Sequence, residues 1–114
     1  MKALTRIIFV NENNEKFFGE GPYRLLRGIE KNGSLRATAM EMGMSYSKAL
    51  KLIEHAEKEL GFTFTKRVVG GKSGGGSFLT EEGKAWLAKY EAYRDACLME
   101  NKRLYDTFYG ENEK

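Results

Sequence analysis

The sequence is poor in the residue types on which disulfides, metal sites and much of enzyme catalysis depend. Its 114 residues include one cysteine, one histidine and one proline. The single cysteine, Cys97, excludes an internal disulfide and is typical of a reducing compartment. One histidine and one cysteine also exclude a His/Cys metal cluster within one chain. A Ser-His-Asp triad would depend on His55, which lies in an ordinary helical pattern, so we expect no enzyme activity, no metal and no cofactor.

The sequence also lacks any apolar run close to the roughly 20 residues that cross a bilayer. Its N-terminus, MKALTRIIFVNENNEK, does not have the layout of a signal peptide. We therefore expect a cytoplasmic protein with no membrane contact. The length fits one domain with a single modest core.

The positive charge is concentrated in the first part of the chain. Residues 1–80 contain 13 Lys and Arg against 8 Glu, a balance of +5. Residues 81–114 contain 6 Lys and Arg against 8 acidic residues, a balance of −2, and the two sum to the net charge of +3. A basic body with a mildly acidic C-terminal segment indicates a polyanionic partner.

A glycine-rich stretch, VVGGKSGGGSF over residues 68–78, contains the last three letters of a phosphate-binding loop, Gly71-Lys72-Ser73. That loop has the pattern G-x-x-x-x-G-K-[ST] and runs into a helix whose N-terminal amides hold the phosphates. Here Lys66 stands in place of the first glycine, and Gly74-Gly75-Gly76 follow where the helix would begin. Because each glycine costs a helix roughly 1 kcal/mol relative to alanine, the stretch does not predict a nucleotide site.

Local patterns predict a mainly helical α+β fold. The order is a β-hairpin, two helices, a tight glycine turn, a third helix, two strands and one long helix. We expect the hairpin at residues 4–19, helices at 21–32, 35–42, 46–60 and 81–109, and strands at 62–69 and 77–80. The expected N-caps are Ser34, Ser45 and Thr80. The residues expected to face the core on the first and third helices are Tyr23, Leu25, Leu26, Ile29, Ala49, Leu52, Ile53, Ala56 and Leu60.

Two of these helices are joined by a turn at Gly43, which is the order of a helix-turn-helix unit. The second helix of such a unit lies in the major groove of DNA. The glycines of residues 68–78 suit a hairpin tip, or wing, that approaches a phosphate backbone closely, with Lys72 supplying charge. We therefore interpret residues 1–80 as a winged helix-turn-helix domain that binds double-stranded DNA, and residues 81–114 as a long dimerisation helix with a short tail.

The start of the third helix carries the residues that we expect to contact DNA. Ser47 and Lys51 are expected to face base edges, since lysine to guanine is among the commonest specific contacts. Ser45, Tyr46 and Lys48 are expected to face phosphates. The alternative is a solvated polar helix face, on which Tyr46 packs against the second helix.

Further phosphate contacts are expected from the start of the second helix and from the wing. Ser34 and Arg36 would meet a phosphate at the helix N-terminus, while ordinary capping and a surface arginine explain them as well. Strand alternation lets only some of Lys66, Arg67 and Lys72 face DNA. Of these we favour Arg67 and Lys72.

Aromatic and apolar residues recur at roughly heptad spacing along the final helix. They are Trp86, Tyr90, Tyr93, Cys97, Leu104 and Phe108. Such a stripe usually faces the core, but a helix of about 30 residues extends about 40 Å, beyond the reach of so small a domain. We therefore predict a two-helix seam between the subunits of a homodimer, weakened by Glu100, which falls within the stripe.

Two phrases, GSLRATA…MGMSYSKA and GGKSGGGSFLTEEG, resemble the N-terminal winged-helix domain of the ModE molybdate-responsive transcription regulators. The similarity covers roughly residues 4–93, and the LysR-type DNA-binding domain is more distantly similar. The resemblance implies a prokaryotic transcription regulator that pairs through the long helix and the N-terminal strands. A dimer of this kind would bind a pseudo-palindromic operator.

Two departures from that family pattern affect what we expect. Its full-length members carry a C-terminal molybdate-binding module, and nothing in this chain can be assigned to it, so we expect no molybdate site here. Members often have arginine after SY, where this chain has Ser47, so we expect a different operator sequence.

Two other classes of function are open. A winged helix used for protein contact would dock a partner through the long aromatic helix and bind DNA no better than its charge provides. A small enzyme that uses Cys97 or the glycine loop would have a low-pKa thiol or be stabilised by nucleotide.

Overall fold

The expected class, α+β and mainly α, is confirmed by the computed structural model, which describes residues 1–69 and 75–110. Within these residues the chain forms four helices and two antiparallel two-stranded sheets. The elements in chain order are β1 (Phe9–Val10), β2 (Lys16–Phe18), α1 (Glu20–Asn32), α2 (Leu35–Glu41), α3 (Tyr46–Leu60), β3 (Thr65–Val69), β4 (Gly75–Leu79) and α4 (Glu81–Tyr109).

Helix ends are set by glycine and by hydroxyl caps, as the sequence predicts. α1 and α3 end at Gly33 and Gly61, whose φ angles of 72° and 82° lie in the left-handed region that glycine adopts without a steric penalty. The side-chain oxygens of Ser34, Ser45 and Thr80 accept backbone N–H groups in the first turns of α2, α3 and α4. These contacts confirm the three predicted caps.

The core lies where α1, α3 and the start of α4 meet the residues around β2 and β3. Its largest fully buried side chains are Phe18, Leu25, Leu26, Ile29, Phe64 and Leu87. The apolar stripe predicted on α1 is buried throughout. On α3, Ala49, Ile53 and Ala56 are buried, whereas Leu52 and Leu60 are half-buried at the edge of the core.

The N-terminal hairpin is shorter than the sequence predicts. β1 contains two residues and pairs with β2 in an irregular register, and residues 4–8 are not part of a strand. The N-terminal residues instead contact α4, which donates hydrogen bonds to the carbonyl groups of Ala3 and Ile7. Tyr90 Oη donates to Ile7 O at 3.3 Å, and Asn101 Nδ2 donates to Ala3 O at 3.1 Å. Side chains of α4 therefore supply hydrogen-bond donors that a longer partner strand would have supplied.

α4 extends well beyond the rest of the molecule. Its buried residues, Gly83, Leu87 and Tyr90, all lie in the first third of the helix. With 29 residues the helix is about 44 Å long, and the molecule measures 64 × 32 × 26 Å. Although α4 is long, neither it nor any other helix in residues 1–69 and 75–110 is apolar enough to cross a membrane.

Candidate nucleic-acid interface

A glycine turn joins α2 to α3. Gly43 has a φ angle of 71°, and the following amide, of Met44, returns to donate to Ala39 O at 2.9 Å. Ser45 then begins α3, because its Oγ accepts from Lys48 N at 3.1 Å. Turn and cap together set the direction in which the first turn of α3 leaves α2.

α2 is held against α1 by close packing and by a buried hydroxyl. The Thr38 side chain is 2% exposed and lies directly against Gly28, where a Cβ atom would be 2.2 Å from Thr38 Cγ2. Thr38 Oγ1 donates to Ser34 O at 2.8 Å and accepts from Asn32 Nδ2 at 3.2 Å. The start of α2 is thereby fixed relative to the end of α1.

The first two turns of α3 present a polar surface. Ser47, Lys48 and Lys51 are exposed, and Ser45 is exposed at the cap. The opposite side of the same turns is buried through Ala49 and Ile53. A helix with one face in the core and its polar N-terminal face in solvent is the kind of element that can enter a groove of DNA.

An arginine of α2 stacks on the first residue of α3. The Cζ atom of Arg36 lies 4.2 Å from the centroid of the Tyr46 ring, and the ring itself is half-buried. A guanidinium over an aromatic face at this distance is stabilised by roughly 0.5–1 kcal/mol at an exposed site. Tyr46 therefore does contact the second helix, and in doing so it holds the Arg36 charge beside the start of α3.

The second sheet places its two described cations on opposite faces. In the β3–β4 register Arg67 is opposite Ser77 and Lys66 is opposite Phe78. Since alternate residues of a strand point to opposite faces, only one of the two can face the start of α2. That residue is Arg67, which lines a groove with Arg36. Lys72 lies outside the described residues.

The groove lies between the start of α2, the side of α3 that carries Tyr46 and Glu57, and the β3–β4 sheet, with a volume of about 610 Å³. The exposed residues Ser45, Ser47, Lys48 and Lys51 do not line it. The predicted residues that line it are Ser34, Arg36, Tyr46 and Arg67. Glu54 and Glu57 also line it, from later turns of α3, and the Glu57 carboxylate accepts from Phe64 N at 2.8 Å. The groove thus combines two cations with two acids, one of which has a backbone partner.

Sequence reasoning missed the contacts that bring these side chains together. The stack between Arg36 and Tyr46 joins residues of two different helices, and no spacing rule within one helix predicts it. Ser77, which lines the same groove, carries no sequence signal of its own. His55, the single histidine, is partly exposed and lies 3.7 Å from a Glu59 carboxylate oxygen.

The stripe predicted along α4 divides into two parts, the first of which faces the core of its own chain. Tyr90 is 2% exposed and Trp86 is half-buried. Their rings pack edge-on against Phe18, at centroid distances of 4.9 and 5.6 Å. Because Tyr90 is almost fully buried within its own chain, it cannot contact a second subunit. Its predicted place in the dimer interface is therefore wrong, and it is a core residue.

Beyond Tyr90 the stripe is open. Tyr93, Leu104 and Phe108 are 52%, 41% and 73% exposed, and Cys97 is half-buried. A hydrogen bond with the Cys97 thiol raises the pKa of Tyr93 above its usual value. The second half of α4 thus carries an apolar surface that the described part of the chain leaves largely uncovered.

These elements define a small α+β domain in which two helices joined by a glycine turn lie beside a two-stranded sheet, with two arginines in the groove between them. No family model matches the chain. It is 33% identical over 92 residues to the molybdenum transport protein ModE of Azotobacter vinelandii, a match that covers 77% of this chain and 34% of that protein. It is also 37% identical over 68 residues to the molybdenum-pterin-binding protein MopB of Rhodobacter capsulatus, which covers 60% of this chain and 25% of that protein. The chain therefore spans about a third or less of the length of these relatives.

Proposed function

We propose that this protein is a cytoplasmic, sequence-specific transcription regulator that binds double-stranded DNA through a ModE-type winged helix-turn-helix. α3 is the recognition helix, and the β3–β4 hairpin is the wing. The observation that carries the proposal is the exposed polar start of α3, at Ser47, Lys48 and Lys51, on the helix whose Tyr46 lines the groove of Arg36 and Arg67. The similarity to two molybdenum proteins supports the same assignment.

The exposed polar side chains divide into two roles. Ser47 and Lys51 lie outward on α3, where side chains reach base edges in the major groove. The remaining residues contact phosphates and fix the register of the domain on the duplex without reading sequence. They are Ser34, Arg36, Ser45, Tyr46, Lys48, Arg67 and Lys72.

We further propose that two copies pair through the open half of α4. Tyr93, Leu104 and Phe108 offer an apolar stripe, and a second α4 is the partner whose length and pattern match it. Cys97 lies within the same stripe and is half-buried. Trp86 and Tyr90, at the start of α4, pack against the core of each chain and are not part of this seam. Such a dimer has two recognition helices related by a two-fold axis, so its operator is pseudo-palindromic with half-sites one turn or more apart.

The proposal is tested by fluorescence anisotropy on two duplexes, one from the promoter region of its own gene and one of random sequence. Each is titrated at about 50 and about 200 mM salt, a range over which phosphate-led binding falls by orders of magnitude. We expect salt-steep binding with preference for the promoter duplex. Absence of binding to either duplex at the lower salt concentration would contradict the proposal.

A second function is favoured by the exposed side chains in the second half of α4, where Tyr93 and Phe108 are 52% and 73% exposed. The same surface would suit a different protein, which makes the chain an interaction module. That alternative predicts equal, weak affinity for both duplexes. It also predicts a monomer in the absence of its partner.

A further inference from the structure

The outer edge of the β3–β4 sheet is tied to the turn between α1 and α2. Ser77 N donates to Gly33 O at 3.0 Å. Gly33 is the left-handed residue that ends α1, with a φ angle of 72°, and Ser34 follows it as the cap of α2. One hydrogen bond therefore joins β4 to the residue that directs the chain into α2.

Gly76 makes this contact possible. A Cβ atom at this position would lie 2.8 Å from Gly33 O, closer than real Cβ contacts come. The neighbouring atom is a backbone oxygen, so no side-chain rotation relieves the overlap. Any residue other than glycine at position 76 must move β4 away from the α1–α2 turn.

The Ser77–Gly33 hydrogen bond lies farther from the base of the hairpin than Leu79 does. At the base, Phe64 N donates to the Glu57 carboxylate of α3 at 2.8 Å, and Leu79 is buried in the core. The Ser77–Gly33 hydrogen bond adds a second attachment nearer the hairpin tip. Two attachments at different distances from the tip set the angle of a hairpin, whereas one leaves it free to pivot.

Arg67 is directly opposite Ser77 in the sheet register. A pivot of the hairpin at Gly76 therefore displaces the Arg67 guanidinium relative to Arg36 at the start of α2. These two residues line the same groove. A duplex that receives α3 in its major groove meets both arginines only when the hairpin angle is correct.

We propose that Gly76 is a positioning residue: by its contact with Gly33 it sets the wing angle at which Arg67 and α3 engage one duplex. The inference rests on the proposed DNA-binding function and assigns to Gly76 a role that depends on its contact with Gly33. Because the effect passes through phosphate contacts, it concerns affinity and salt dependence rather than the choice of sequence.

The test compares Gly76→Ala with wild type and with Gly21→Ala, a matched glycine whose added methyl meets no atom within 4 Å. Affinity for the promoter duplex is measured over a range of salt concentrations. Each phosphate contact contributes about 0.9 to the log-log salt slope. For Gly76→Ala we expect about tenfold weaker binding at low salt and a slope smaller by about 0.9, with the ratio of promoter to random affinity unchanged. Gly21→Ala is expected to match wild type.

A double-mutant cycle with Arg67→Ala separates positioning from general destabilisation. Arg67→Ala weakens binding by wild type, and in the Gly76→Ala background it has little further effect, since the wing is already displaced. Additive losses with an unchanged salt slope would overturn the inference. So would wild-type affinity and slope in a folded Gly76→Ala protein.

Amide hydrogen exchange on the wild-type chain gives an independent measurement should Gly76→Ala fail to fold. The Ser77 amide is expected to be protected in the free protein and still more on the promoter duplex, where the wing is held from both sides. Exchange of Ser77 at the rate of an unprotected amide in both states would overturn the inference while leaving DNA binding intact. Failure of wild type to bind any duplex would overturn the proposed function, and this inference with it.

Discussion

Gly28 of α1 lies directly against Thr38 of α2, so closely that a methyl group on Gly28 would be 2.2 Å from Thr38 Cγ2. Thr38 cannot change rotamer without losing hydrogen bonds, because its hydroxyl donates to Ser34 O and accepts from the side-chain amide of Asn32. The approach of these two helices therefore depends on a residue without a side chain.

Gly28→Ala is expected to destabilise the protein by about 1–2 kcal/mol. Forced overpacking costs about 1–3 kcal/mol, and the better helix propensity of alanine offsets up to about 1 kcal/mol of it. Thr38→Ser in the same chain removes the clashing methyl but keeps the hydroxyl, so it should restore part of the loss. Urea denaturation measures both, with Gly21→Ala as the control. Equal stability of Gly28→Ala and wild type would contradict the packing.

Under the proposed function, Lys51 of α3 and Lys72 should differ in how they affect DNA binding. Lys51→Ala is expected to reduce the preference for the promoter duplex, because a base contact is lost, at a cost of about 1–3 kcal/mol. Lys72→Ala is expected to weaken binding to all sequences alike and to reduce the salt slope by about 0.9. Anisotropy on promoter and random duplexes measures both. Lys58→Ala, in the last turn of α3, is the matched loss of charge, and equal losses on the two duplexes for both variants would contradict the division.

Removal of the Tyr46 ring should weaken DNA binding in the same way as removal of the Arg36 charge. In Tyr46→Leu the guanidinium loses its aromatic support, and we expect binding to all duplexes to weaken about two- to fivefold, which corresponds to the 0.5–1 kcal/mol of an exposed stack. Tyr46→Phe, which loses only the hydroxyl, is the control for the proposed phosphate contact of Tyr46. The loss for Tyr46→Leu beyond that for Tyr46→Phe should vanish in the Arg36→Ala background. Anisotropy again provides the measurement, and full additivity of the two losses would show that the stack does not position Arg36.

Alkaline pH should destabilise the fold through Tyr90. Burial raises the pKa of Tyr90 above its usual value of 10.0, and the Glu20 carboxylate adds to this effect while Arg94 opposes it. Above about pH 10 the unfolded phenol loses its proton before the folded one does, so the free energy of unfolding decreases as pH rises through the folded pKa. Below the unfolded pKa this contribution does not vary with pH.

Tyr90→Phe should remove that part of the decline. Urea denaturation between about pH 8 and 11 measures it, with Tyr109→Phe, at an exposed position, as the control. Identical slopes for wild type and Tyr90→Phe would show that Tyr90 does not titrate differently in the folded state.

A charge in the open half of α4 should prevent the proposed dimer from forming. In Phe108→Lys two ammonium groups are brought to the seam, and buried like charges disfavour association. Analytical ultracentrifugation should find wild type as a dimer and Phe108→Lys as a monomer at the same concentration. Ala88→Lys, exposed on the first half of the helix, is the control and should remain dimeric. A monomeric wild-type chain would contradict the seam itself.

The order of elements and their ends were predictable because they depend on residues a few positions apart. Ser34, Ser45 and Thr80 cap helices through amides three residues further along, and Gly33 ends α1 through its own φ angle. The buried stripe of α1 follows from a spacing within one helix. For the same reason the polar start of α3 could be named as a candidate site from the sequence.

Less of the arrangement of the site was predictable, because it depends on packing between distant residues. The spacing along α4 treats Tyr90 and Phe108 alike, yet Tyr90 lies in the core and Phe108 in solvent. β-propensity favoured a strand at residues 4–8, but that backbone found partners on α4 instead.

The sequence by itself determined the class of fold, the helix ends and the candidate cations, since local hydrogen bonds and periodicity are properties of adjacent residues. The tertiary structure alone decided which of those cations share a groove and which backbone carbonyl accepts from β4. Ser77 bonds to Gly33 from 44 positions away, and no local rule selects that carbonyl. The selection follows from the packing of α1, α2 and β4 around one core, where each buried N–H needs an acceptor within reach.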